Sequence, residues 1–73
     1  MNNQRREEIS KAVELIEEAK NILESVLYEE QECLDNLPQS LQYFERGQTY
    51  SENVDRIQES LGTLDEFDDL SDL

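Results

Sequence analysis

From Gln4 to Asp35 the chain carries neither glycine nor proline, and its apolar residues return at helical spacing throughout. Ile9, Ile16 and Leu23 form one row, Ala12, Ala19, Val26 and Cys33 a second, and Val13, Leu27 and Leu34 a third. A 3.6-residue period sustained over that stretch predicts one amphipathic helix spanning residues 4–35. Asn2 or Asn3 is placed to cap its start, while Arg5 and Arg6 in the first turn oppose the helix dipole and predict fraying there. Leu15 and Ile22 flank these rows, so the apolar set occupies heptad positions a, d, e and g, wider than one partner helix can cover. Lys20 and Glu30 fall inside the stripe, with their stems expected along its edge and their charged heads in water.

Asp35-Asn36-Leu37-Pro38 ends that helix, because proline disfavours helical backbone at the residue before it. Residues 38–46 read as a connector turn or short helix opened by Pro38 and stopped by Gly47, with Leu41, Tyr43 and Phe44 as packing groups. Thr49-Tyr50-Ser51-Glu52 has the pattern of a capping box, in which a threonine oxygen and a glutamate carboxylate satisfy free amides at a helix start. A second helix is therefore expected over residues 50–66, with Tyr50, Val54, Ile57, Leu61 and Leu64 along one face. Gly62 within it costs about 1 kcal/mol relative to alanine. Residues 67–73 form an acidic tail, expected to be solvated because clustered acids oppose the dipole at a helix C-terminus. The alternation of acids with Phe67, Leu70 and Leu73 also suits a short segment that folds on a partner.

These elements give an all-α fold, a single helical domain over residues 1–73, arranged as an antiparallel helical hairpin of long helix, short connector helix and second helix. At 1.5 Å per residue the two main helices would be about 45 and about 27 Å long. That mismatch leaves apolar stripe uncovered and predicts a homodimer that closes a four-helix bundle. The self-association residues would be Ile9, Val13, Ile16, Leu23, Leu27, Val54, Ile57, Leu61 and Leu64. A chain of 73 residues is also small for a monomeric core. The competing arrangement folds Leu37, Leu41, Tyr43 and Phe44 back to close a monomeric three-helix core.

Nineteen acidic residues against six basic ones leave a net charge of −13. Direct binding to nucleic acid or to an anionic membrane needs cationic surface, so the expected partner is a basic protein. There is no histidine and Cys33 is the only cysteine. That composition excludes an intramolecular disulfide, a Cys/His metal site and any histidine-based triad, and Cys33 reads as a core thiol. With no glycine-rich phosphate loop or calcium loop, no cofactor is expected and the chain does not read as an enzyme. Carboxylates three residues apart, Glu14 with Glu17, Glu29 with Glu32 and Glu52 with Asp55, resemble the E-x-x-E and E-x-x-D metal motif of the all-α nucleotide pyrophosphatases. That resemblance would imply metal-dependent nucleotide hydrolysis, although nineteen acids in so short a chain generate such spacings readily. No apolar run reaches signal-peptide or membrane-span length, and a cytoplasmic location is the expectation.

The acidic residues expected to meet a partner are Glu14, Glu17, Glu18 and Glu24 on the first helix, Glu52, Asp55 and Glu59 on the second, and Asp65, Glu66, Asp68 and Asp69 beyond it. Three i,i+4 pairs, Glu7 to Lys11, Lys20 to Glu24 and Glu52 to Arg56, could neutralise a few charges for at most about 0.5 kcal/mol each. A dimer about 45 Å long would carry about one net charge per 1.7 Å, the linear density of duplex DNA. The connector, with Asp35-Asn36-Leu37-Pro38 and Leu41-Gln42 followed by Glu45-Arg46-Gly47, resembles a group of small acidic proteins encoded by phages and mobile elements. The resemblance implies an inhibitor or modulator that masks a basic, nucleic-acid-binding surface of a host protein in the bacterial cytoplasm. The alternative is an assembly module that works through its apolar helix faces.

Overall fold

A computed structural model describes residues 1–41 and 44–73 of the chain. Two helices, α1 (Asn3–Asp35) and α2 (Glu45–Asp65), run antiparallel as a hairpin, and a 3₁₀ segment (Glu66–Asp72) continues the second. The all-α hairpin expected from the helical period is therefore the observed architecture. Its extents are 58 × 15 × 14 Å and its Cα radius of gyration is 17.1 Å. A compact globule of this length would have a radius of about 11 Å, so the molecule is a rod.

Asn2 caps α1: its side-chain oxygen accepts a hydrogen bond from the Arg5 amide at 2.8 Å, and the helix starts there despite Arg5 and Arg6. At the far end the Asn36 amide donates to the Glu32 carbonyl at 2.9 Å and the Leu37 amide to the Leu34 carbonyl at 3.2 Å, after which Pro38 has no amide to continue. In the described part of the connector the Leu41 amide donates to the Pro38 carbonyl at 2.8 Å and the Phe44 amide to the Leu41 carbonyl at 3.1 Å. Tyr43, expected as a packing group, lies outside the described residues; Leu41 and Phe44 are exposed, at 44% and 63%.

Helix α2 begins at Glu45, five residues before the expected start, so Gly47 is not a stop but a buried residue of the first turn. The capping box is not used. The Thr49 hydroxyl instead donates back to the Glu45 carbonyl at 3.0 Å, as a threonine does inside a running helix. The earlier start has a packing reason: Gly47, Tyr50, Val54, Ile57, Leu61 and Leu64 step by three and four residues and form one seam, all of them covered or half-covered. The facing seam on α1 is Ile9, Val13, Ile16, Lys20, Leu23, Leu27, Glu30 and Leu34, with the same alternation, and Leu37 continues it just past the helix end. Bonds from Asn53 to Glu30 and from Lys20 to Asp65 fix the antiparallel register, which sets Leu27 level with Ile57 and Leu23 with Leu61.

The C-terminal residues are not a solvated tail. In a 3₁₀ helix residues three apart share a row, so Asp65 and Asp68 line up on the side of Lys20 while Phe67, Leu70 and Leu73 form another row. Leu70 is half-buried and shares a cleft with Arg6, Ile9 and Ser10 near the start of α1. The length mismatch disappears as a result. Helix α1 spans about 50 Å, and α2 with its 3₁₀ extension spans about 46 Å. The length mismatch that argued for a homodimer is thereby removed, and the nine residues expected in self-association all lie in the intramolecular seam.

Candidate interaction surface

Lys20 sits in the seam of α1 where an apolar residue would be expected, and it is buried, with 8% of its surface exposed. The head does not reach open water as the sequence suggested. Its ammonium meets Asp65 at 2.8 Å, Glu17 at 3.2 Å and Asp68 at 3.3 Å, so a stem packed in the seam delivers the charge to three acceptors at its rim. The Asp65 hydrogen bond, helped by those to Glu17 and Asp68, holds the Lys20 pKa above the ordinary lysine value of 10.5, against burial, which alone would lower it. Among the described residues all ion pairs converge on Lys20, and the expected pairs to Glu24, between Glu7 and Lys11 and between Glu52 and Arg56 do not form. Glu30, the other charged seam residue, is half-buried and accepts a hydrogen bond from Asn53 at 3.2 Å.

Three of the residues expected to meet a partner, Glu17, Asp65 and Asp68, are thus engaged with Lys20 inside the chain. The other eight, Glu14, Glu18, Glu24, Glu52, Asp55, Glu59, Glu66 and Asp69, are exposed along the rod. Sixteen of the nineteen carboxylates lie outside the Lys20 cluster. Over 58 Å the net charge of −13 amounts to about one charge per 4.5 Å. That is sparser than duplex DNA and nearer the roughly 3.4 Å spacing of a single nucleic-acid strand.

The wide apolar stripe of α1 resolves into two seams about a quarter-turn apart. One faces α2. The other is Ala12, Leu15, Ala19, Ile22, Val26 and Cys33, again stepping by three and four residues or a full heptad, and apart from the half-buried Ala19 it is open: Leu15 is 65% exposed, Ile22 64% and Val26 38%. Cys33 belongs to this open row and is exposed rather than a core thiol, because its position falls beside the α2-facing seam and not in it. Helix α2 has no such second row, so the two helices are not equivalent. The division was hidden in the sequence by treating the stripe as one band; the repeated three-four step in each row was the signal that separates them.

On the far side of α1, Tyr28 donates to Glu32, and that carboxylate holds the phenol pKa above its ordinary value of 10.0. A depression of about 590 Å³ along α1 is lined by residues of that helix alone, including Lys11, Leu15, Glu18 and Asn21, and one face of one helix cannot enclose a substrate. Among the described residues no three histidine, cysteine, aspartate or glutamate side chains converge as a metal site. No helix among them is long and apolar enough to cross a membrane. No protein-family model, curated protein or solved structure matches this chain.

Proposed function

We propose that this protein is a non-catalytic interaction protein, of the kind phages and mobile elements encode, whose acidic rod masks a basic, nucleic-acid-binding surface on a host protein. The observation that carries this reading is the imbalance of its charges: the one lysine in the seam is consumed internally, and sixteen carboxylates lie outside that cluster with no ion pair among the described residues. A negative field of that extent speeds encounter with a cationic groove and repels nucleic acid itself. The single-strand-like charge spacing favours a target that tracks a phosphate backbone over one that reads base edges.

The reading predicts that immobilised protein retains nucleic-acid-binding proteins from bacterial lysate at 50 mM salt, releases them by about 200 mM, and loses them to added DNA. Retention of nothing basic at low salt contradicts it. Binding that ignores salt also contradicts it.

A further inference from the structure

We propose that the open seam of α1 is a docking groove for a cationic amphipathic helix of the partner, so that apolar and acidic surface act on one face. The proposal rests on the masking function argued above and names the surface that performs it.

Three observations carry it. The row Ala12, Leu15, Ala19, Ile22, Val26 and Cys33 repeats the three-four step of the seam that α2 already fills, so its natural occupant is another helix. Small residues at Ala12 and Ala19 alternate with the exposed Leu15 and Ile22, which gives a helix hollows to approach and two anchors to grip. The outer border of the row carries Glu18, Glu29 and Glu32 against the single Lys11, and Glu8 stands in line with the row at its N-terminal end. That border decides the kind of helix. A second copy would bring its own Glu18, Glu29 and Glu32 against these, with −13 charges on each side, whereas lysine and arginine flanking an apolar heptad would pair with them.

Two synthetic peptides of identical leucine and lysine composition test this: one with leucines at heptad spacing, the other scrambled to remove any helical period. Affinities are measured for the full chain at low salt, for Leu15→Ser/Ile22→Ser, and for Phe44→Ser, which removes an equally exposed apolar side chain outside α1. Circular dichroism confirms that each variant is folded, and a solution mass is taken for each. The expected result is a preference of about tenfold or more for the heptad peptide, lost in the double variant, kept in Phe44→Ser, with the mass of one chain throughout. Equal binding of both peptides by the unmodified chain overturns the docking groove and leaves charge masking standing. Failure of both peptides to bind sinks the masking function as well. A doubled mass that Leu15→Ser/Ile22→Ser reverses overturns the proposal by giving the groove to a second copy.

Discussion

Lys20 illustrates what a single residue decides in a molecule with so little core. Among the described residues Val54 is the one buried apolar side chain, at 6% exposure, so the pinning of the C-terminal segment leans on the Lys20 ammonium with Asp65 and Asp68, beside the half-buried Leu70. Replacing Lys20 with methionine keeps the stem in the seam and strips the charge from between Asp65 and Asp68. Amide exchange in residues 66–72 should then rise toward that of an unstructured chain, while α1 stays protected. Because its folded pKa is raised, the lysine contributes stability that is complete below 10.5 and is lost as pH rises through the folded value. Tyr28 works in the same direction: a phenol whose pKa is raised contributes below its ordinary 10.0 and loses that contribution in alkali. Alkaline melts should therefore show a fall beyond pH 10 that Lys20→Met and Tyr28→Phe each reduce. The presence of Lys20 in the stripe was readable from spacing. Its partners were not, since Asp65 and Asp68 lie more than forty residues away and reach it only through the hairpin register. Gly62 was readable too: nothing lies within 4 Å of where its Cβ would be, so Gly62→Ala should stabilise α2 by about 0.5–1 kcal/mol in thermal or urea melts.

At the scale of elements, α1 was legible almost to the residue because nothing in it competes with the helix. Its cap is Asn2, one of the two asparagines the sequence offered, and Asn2→Ala should cost about 1 kcal/mol. Helix α2 ends within a residue of the expected position, but its start and the segment beyond its end differ from expectation for physical reasons. Thr49 and Glu52 have the spacing of a cap, but a helix already nucleated at Glu45 runs through them, since extending a helix is far easier than starting one. Thr49→Ala should accordingly change stability by a few tenths of a kcal/mol or less, not by the cost of a lost cap, and comparison of its melt with that of Asn2→Ala checks the assignment. At the other end, acid clustering argued for a frayed tail because the dipole was weighed without Lys20. The three-residue period of Phe67, Leu70 and Leu73 was visible in the sequence and matches a 3₁₀ helix rather than an α-helix.

The whole molecule is a thin rod that a chain of this size can hold only weakly. A seam of half-covered residues in a domain below about 80 residues supplies at most about 3–5 kcal/mol. Val54→Ala, at about 2 kcal/mol, should remove much of that and bring the urea midpoint down steeply. The fold class was legible because the hydrophobic period dictates it, whereas the matched length of the two arms was not: the mismatch vanished once α2 gained five residues at its start and a 3₁₀ extension at its end. The candidate surface divided in the same way. All eleven acids are exposed, three of them paired with Lys20, and the open seam emerged only when α2 had claimed one half of the stripe. Small-angle X-ray scattering with a mass determination, in dilute neutral buffer, tests this most directly. A radius of gyration near 17 Å at the mass of a single 8.6 kDa chain is predicted. A radius near the 11 Å of a globule or the roughly 26 Å of an unfolded chain, or the mass of two chains, would contradict it.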